Sequence, residues 1–354
     1  GDHYQMGLQH GQQVLELRSQ IFEAMETRLR LLARSRGTRC APSLQWVADG
    51  IVRELEKAWQ EIAPSTLAML QGMAEALTVP FPQLFGYAVA SYLDGQCPGA
   101  PPTEGCTVWA ASGSATHDGL PILTKNRDYA MGHLPLQALA YATPRQGYRH
   151  LYITSAGSPA VFSSGMNERG LAVADTYVPS RDIGPGLARY TLMMNLLEQH
   201  AQVASALGYL REIPQMGAGN LVLADAGGGL AVCESGYRRH GVLHPASDLL
   251  VATNHFVSAE LRGAYLESRD GAYADSQARH ETVRAALQAA HGGLDVEYAR
   301  NLMASHANHG AAICRHQVPE DSGTISNVIF LPAQRRLLVC AGYPCQGTHE
   351  PFSL

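Results

Sequence analysis

The chain has 354 residues, of which 46% are hydrophobic and 16% charged, with a formal net charge of −5. That composition supplies a large core and argues against disorder, and without a basic run it gives no reason to expect nucleic acid as a partner. No apolar stretch reaches the roughly 18 residues that a membrane span requires, and no signal peptide is visible.

The first 93 residues read as helical. Val14, Leu17, Ile21, Met25, Leu29 and Leu32 recur at helical spacing, and Leu44, Val47, Ile51, Leu55 and Trp59 mark a second helix. Pro64-Ser65-Thr66 breaks the pattern, with Ser65 or Thr66 the expected cap of a third helix carrying Leu67, Leu70, Met73 and Leu77. A short helix is expected over 82–93. Residues 94–105 hold Pro98, Pro101 and Pro102 and read as an extended, accessible linker.

From Cys106 the pattern changes to strands, expected at 106–111, 121–126, 137–143, 151–155, 160–163 and 171–177, with Asn167-Glu168-Arg169-Gly170 a turn before the last. Helices follow at 187–200 and 203–212. Strands at 220–225 and 230–234 flank Ala226-Gly227-Gly228-Gly229, a hairpin signal that lacks the Lys-Ser/Thr of a phosphate loop. A strand at 249–253, helices at 273–290 and 296–304, and a last hairpin at 324–330 and 335–341 complete the chain. Helices, then two sets of strands separated by helices, predict two sheets packed face to face with helices outside.

Seven cysteines at positions 40, 97, 106, 233, 314, 340 and 345 are odd in number and irregularly spaced, with no C-x-x-C pair. A disulfide framework is not expected, which fits a cytoplasmic enzyme. The nearest zinc spacing, His306-x-x-His309 with Cys314, is too unspecific to carry a metal, so no metal or cofactor is expected.

The stretch Thr103-Glu104-Gly105-Cys106-Thr107-Val108-Trp109 stands out. If 106–111 and 121–126 pair as a hairpin, the start of one strand meets the end of the other, and Cys106 comes near Asn126, Arg127 and Asp128. A thiol beside a cation is a suitable nucleophile, because the charge favours the thiolate. A buried thiol acting as a small hydrophobe fits the local residues equally well.

Gly105-Cys106-Thr107 with Lys125-Asn126-Arg127-Asp128 resembles the self-processing site of the isopenicillin N acyltransferase-like family of N-terminal-nucleophile hydrolases. The opening Tyr4-x-Met6-Gly7-x-Gln9-His10-Gly11, Thr253-Asn254-His255, Ala312-Ile313-Cys314-Arg315, Thr324-Ile325-Ser326-Asn327 and Gly342-Tyr343-Pro344 extend the resemblance over nearly the whole chain. It implies an α+β fold, a four-layer αββα sandwich with a helical N-terminal segment. Residues 1–105 would be a cleaved but retained pro-segment and 106–354 the catalytic chain.

The resemblance also implies roles. Cys106 would attack the Gly105 carbonyl, free its own α-amine, and use that amine as base for its thiol. Asn254 and a backbone N–H, assigned to Asp175, would hold the oxyanion, and Asp128 would orient the α-amine. Arg127 would steady the cysteine or hold a substrate carboxylate, and Asn126, His255 and Thr324 would lie near the substrate. The acyl donor would be a small N-acyl amide or acyl thioester, and the acceptor water or an amine. Arg127 stands where penicillin-pathway enzymes can carry an aromatic residue, and Asp321-Ser322-Gly323 lacks their arginine, which argues against a penicillin-type substrate.

Two other readings stay open. One is an unprocessed Cys-His hydrolase using Cys106 and His255. The other is a non-catalytic binding protein on the same scaffold.

Overall fold

The computed structural model describes residues 1–35, 51–89, 105–158, 160–267, 271–306, 310–316 and 322–354. The expected linker therefore lies outside the described residues, Gly105 excepted. Two wholly antiparallel sheets form the centre. The first holds β1 (Gly105–Ala111), β2 (Ile122–Ala130), β10 (Leu249–Ala252), β11 (Ser322–Leu331), β12 (Arg336–Ala341) and β13 (Glu350–Ser353), in the order β10-β1-β2-β11-β12-β13. The second holds β3 (Gln137–Ala142), β4 (His150–Ser155), β5 (Ser164–Asn167), β6 (Ala172–Tyr177), β7 (Gly219–Ala224), β8 (Leu230–Ser235) and β9 (His240–Leu243) in sequence order.

Alternation along the strands sorts the layers, because successive side chains leave opposite faces of a sheet. Val108, Ala110, Leu123, Val328 and Phe330 of the first sheet meet Leu151, Ile153, Ala174, Val222 and Val232 of the second in one inter-sheet core. Trp109, Ile122 and Ile329 point the other way, onto Val283, Leu287, Ala299 and Met303 of α8 (Ala272–Ala289) and α9 (Val296–Met303). Leu221, Leu223 and Val173 on the far face of the second sheet pack on α6 (Arg189–Gln199) and α7 (Val203–Glu212). Helix, sheet, sheet and helix are thus the four expected layers.

The N-terminal helices share that last layer. They are α1 (His3–Gln13), α2 (Arg18–Ser35), α3 (Ile51–Ile62), α4 (Pro64–Leu77) and α5 (Phe81–Ala88). Ile21, Met25, Leu55, Trp59, Leu70 and Phe85 lie in one core with Leu192, Leu196 and Leu221. The Trp59 indole donates to the Gly186 carbonyl at 3.0 Å. The Gly1 ammonium donates to Thr143 O at 3.0 Å, and His3 pairs with Glu198 at 3.0 Å. The described residues before Gly105 are therefore part of one packed body with those after it. Glycine explains the closeness of α1 and α4: a Cβ at Gly7 would sit 1.9 Å from the Met69 carbonyl oxygen, and one at Gly72 2.1 Å from that of Tyr4. Only hydrogen fits where two backbones approach this far.

Several local expectations change. Pro64 opens α4 at its first turn, with Ala63 as the capping residue and no side-chain cap from Ser65 or Thr66. Proline suits that position because the missing N–H has no helical partner there. The strand expected at 160–163 begins instead at Ser164, after Ala160 has turned to a φ of 53°. Strands β9 and β13 add to the expected set. The strand expected to end at Asn126 continues to Ala130, so Arg127 and Asp128 belong to the ladder.

Candidate active site

The β1–β2 pairing has the register Gly105↔Asp128 and Cys106↔Arg127. The hairpin read from the sequence thus brings these residues together. β10 begins its pairing with β1 only at Val108↔Ala252. The Cys106 N–H is therefore left without a strand partner on that side, and a side chain takes it: it donates to Asn254 Oδ1 at 2.9 Å. Cys106 lies buried, on the strand face that Val108 and Ala110 turn to the inter-sheet core.

Asn254 is fixed on every side. Its backbone N–H donates to Ser276 Oγ at 2.7 Å, its Nδ2 donates to the Tyr177 carbonyl at 2.8 Å, and its Oδ1 accepts from Arg279 Nη2 at 2.8 Å as well as from Cys106. Arg279 of α8, which the sequence reading did not single out, also donates to the Cys106 carbonyl at 2.7 Å and to Thr107 Oγ1 at 3.0 Å. Asp275 balances its charge at 3.0 Å. Arg279 is 1% exposed. A visible trace of this in the sequence is its place on the buried stripe Ser276, Arg279, Val283 and Leu287 of α8, where an apolar residue would be ordinary.

Asp128 is buried. Thr324 Oγ1 donates to its Oδ1 at 2.6 Å, and Arg315 Nη1 lies 3.5 Å from its Oδ2. Burial pushes its pKa up, against the pull of Arg315, Arg279 and the Thr324 hydroxyl. Thr324 is locked in turn, accepting the Arg315 N–H at 2.9 Å and giving its own N–H to the Arg315 carbonyl at 2.9 Å. Arg315 bridges onward to Asp275 at 3.4 Å. A Cβ on Gly105 would lie 3.2 Å from Asp128 Oδ2 and 2.3 Å from Arg315 Nη1. The glycine is thus what lets the chain pass this charged pair.

The other expected residues fall into different settings. Arg127 is 4% exposed, donates to Gln137 Oε1 at 3.2 Å and Ser155 Oγ at 3.0 Å, and lies over the rings of Tyr129 and Phe162. Among the described residues it has no carboxylate partner. Asn126 points away from a substrate role: it donates to the carbonyls of Met303 and Ile313 at 2.8 and 2.9 Å and accepts from Asn327, tying β2 to the end of α9. His255 Nδ1 meets Ser276 Oγ at 2.8 Å and Thr253 Oγ1 at 3.1 Å, and burial beside His280 and Arg279 pulls its pKa down to about 4.

Asp175 requires a correction. Its backbone N–H already donates to the Ser163 carbonyl at 3.2 Å and so is not at hand for an oxyanion. Its carboxylate is gripped by Lys125 at 2.6 Å and Arg189 at 2.9 Å, a tie between the two sheets and α6.

Three solved structures are similar in outline. A variant of conjugated bile acid hydrolase from Clostridium perfringens has 12% identity over 70% of this chain and 97% of its own, with a TM-score of 0.49. Penicillin V acylase from Agrobacterium tumefaciens has 13% identity over 67% and 83%, with a TM-score of 0.45. The N-acylethanolamine-hydrolyzing acid amidase ortholog of Caenorhabditis elegans has 15% identity over 70% and 100%, with a TM-score of 0.46. No curated protein matches the chain. The acyl-coenzyme A:6-aminopenicillanic acid acyl-transferase family matches residues 114–346, which is more than half of the chain and includes Asp128, Asn254, Arg279, Arg315 and Thr324, while Cys106 lies just before the matched stretch. The chain belongs to that family, and is an enzyme that hydrolyses amides or transfers acyl groups.

Proposed function

We propose that this enzyme is a self-processing cysteine amidohydrolase or acyltransferase whose nucleophile is Cys106. The observation that carries the reading is the polar clasp on the main chain at Gly105-Cys106. The Cys106 nitrogen already faces the Asn254 carbonyl oxygen, the Cys106 carbonyl is held by Arg279, and Gly105 lies against Asp128.

In the precursor the Cys106 thiolate attacks the Gly105 carbonyl carbon. The C–N bond breaks, nitrogen takes a proton, and a thioester joins Gly105 to Cys106 Sγ. Water then cleaves the thioester, leaving a Gly105 carboxylate and a free α-amine at Cys106. An α-amine has an unperturbed pKa near ~7.7–8, so it can take the thiol proton near neutral pH. Asn254 Oδ1 accepts from the amine, and the Asp128 carboxylate favours its protonated form when it has taken the proton.

The mature thiolate attacks an acyl donor, and the acyl-enzyme passes its acyl group to water or an amine. One Nδ2 proton of Asn254 holds Tyr177 O; among the described residues the other has no acceptor and is available to an oxyanion. Arg127 lacks a carboxylate partner among the described residues, which suits an acyl donor bearing one. His255 has its Nδ1 engaged by two hydroxyls and is neutral near pH 7, so the α-amine is the better base.

The shared core and the contacts of Trp59, His3 and Gly1 would keep residues 1–105 bound after cleavage. We place the enzyme in the cytoplasm because Cys106, Cys233, Cys314, Cys340 and Cys345 form no disulfide among the described residues. No described helix is long and apolar enough to cross a membrane.

Intact mass under denaturing conditions tests the reading. The wild type is expected to give two fragments split between Gly105 and Cys106, and Cys106→Ala a single chain. A wild-type chain that stays whole after long incubation overturns it.

A further inference from the structure

Four side chains from three separate segments converge close to the candidate site. They are His306, just after α9; Cys314 and His316, in the segment before β11; and Cys345, in the turn that follows β12. Their ligand-type atoms all lie within 4.8 Å of one another. We propose that these four residues bind one zinc ion as a structural Cys2His2 site.

The convergence is hard to explain by hydrogen bonds alone. His316 Nε2 faces both Cys345 Sγ at 3.1 Å and Cys314 Sγ at 3.5 Å. One ring nitrogen has either one proton or one lone pair, so it cannot bond well to two sulfurs at once. A cation at the centre satisfies all four groups together. With Zn–S near ~2.3 Å and Zn–N near ~2.0–2.1 Å, the edges of a tetrahedral site are roughly 3.3–3.8 Å. The observed separations bracket that range, so small side-chain movements close the site. Two thiolates with two imidazoles select zinc over hard cations.

The surroundings have the form of a supporting shell. The His316 ring stacks on Tyr343 at 3.9 Å with an interplanar angle of 11°, and His306 meets it edge-on at 5.1 Å. Backbone N–H groups of Ile313 and Cys314 both donate to the Ser305 carbonyl, at 3.1 and 2.9 Å. The segments carrying His306 and Cys314 are thus already stitched together. In the turn, Gln346 and Gly347 N–H groups donate to the Tyr343 carbonyl at 3.0 Å. Neighbouring groups that orient ligands in this way are usual for metal sites. His309, which a regular finger-like spacing would have used, lies outside the described residues.

All four positions of a tetrahedral ion would be filled by protein, so none is open for substrate or water. The ion's task is to hold the segment between Cys314 and His316, and the residue between them is Arg315. That arginine is the one that reaches Asp128 and Asp275. The metal therefore secures a guanidinium of the candidate site without entering the reaction. Binding releases the thiol protons of Cys314 and Cys345 to solvent.

The test is metal analysis of the full chain. Elemental mass spectrometry should find about one zinc per chain in the wild type and in Cys106→Ala, which removes the thiol of the proposed nucleophile. Cys345→Ser should lose at least tenfold of that zinc after dialysis against a mild chelator, in line with the usual weakening when a site's shell is broken. His306→Ala, altering an exposed residue, keeps the test valid if the serine variant does not fold. Chelator-treated wild type given Co²⁺ should show sulfur-to-cobalt charge transfer and the ligand-field bands of a tetrahedral site, and His306→Ala should lose the tetrahedral bands. Absence of stoichiometric zinc together with absence of those cobalt bands overturns the proposal. So does equal zinc in wild type and both variants, or a Cys314–Cys345 disulfide found by peptide mapping in its place.

Discussion

Two aspartates of this molecule are both buried and differ in almost everything else. Asp175 is held by two short ion pairs, 2.6 Å to Lys125 and 2.9 Å to Arg189. Those cations win over burial and pull its pKa down. Asp128 has a hydroxyl at 2.6 Å and a guanidinium only at 3.5 Å, and burial wins, pushing its pKa up. Two carboxylates whose environments drive them apart in this way are suited to different work. Asp175 is saturated and serves as a pin between the sheets. Asp128 is under-compensated, and a positive group arriving beside it, such as a newly freed α-amine, would stabilise it.

The sharpest way to break the comparison is to neutralise each carboxylate in turn. Asp175→Asn removes the buried carboxylate that Lys125 and Arg189 both grip, and the expected loss of stability is roughly 3–5 kcal/mol. Urea denaturation of the Cys106→Ala background, which keeps the chain whole, measures it. The loss should shrink as the medium is acidified. A depressed pKa contributes stability above the unfolded value near 3.8 and loses it as pH falls through the folded value. A variant as stable as its parent would show that the ion pairs are not a pin.

Asp128→Asn should do the reverse. Its stability should change by roughly 1 kcal/mol or less, because Arg315 keeps Asp275 and the lost charge was poorly compensated. Its folded pKa is raised, so the wild-type residue costs stability as pH rises from near 3.8 through the folded value, and the variant should lack that fall. Processing at Gly105-Cys106 and turnover should drop by roughly 10²–10⁴, the range for losing a positioned acid–base group. Unchanged processing would remove Asp128 from the proposed mechanism and leave both aspartates as structural ions.

Much of this site was legible because it is local. The short gap between the expected strands 106–111 and 121–126 points to a hairpin, and the hairpin fixes which residues oppose Gly105 and Cys106. What stayed hidden depends on other elements. Arg279 reads as one more charge on a helix with Asp275, Glu281 and Arg284, and only its packing against β1 and Asn254 makes it part of the site. Asp175 was assigned by its place after the Asn167 turn, but the chain bends at Ala160 and brings the Ser163 carbonyl onto its N–H. The opening Gly7 and Gly11 were visible as a motif without a reason. The reason is tertiary, since a Cβ at either would meet α4 at 1.9 and 2.6 Å. The four layers followed from strand and helix periodicity. The merging of residues 1–35 and 51–89 into the helical layer behind the second sheet did not, because their apolar stripes do not say which surface they cover.

The smallest change that separates the two aspartates is at Thr324. Its hydroxyl is the short hydrogen bond on Asp128 and favours the ionised carboxylate. Thr324→Val keeps the shape and removes that bond, so the Asp128 pKa should rise further, because a hydrogen bond to a charged acceptor favours the ionised form by roughly 1.5 kcal/mol. Because the proposed reaction uses the carboxylate in its ionised form, the acid limb of the pH–rate profile should move to higher pH, with the plateau above it less affected. The variant also leaves the Arg315 N–H without its acceptor, so some stability is lost whatever the role of Asp128. Thr324→Ser distinguishes the two effects, because it restores the hydroxyl to both partners and should return the acid limb to its wild-type position. An acid limb that stays put in Thr324→Val, in a protein that remains folded, would mean that the ionisation seen in the rate belongs to another group, and the contrast with Asp175 would then describe stability alone.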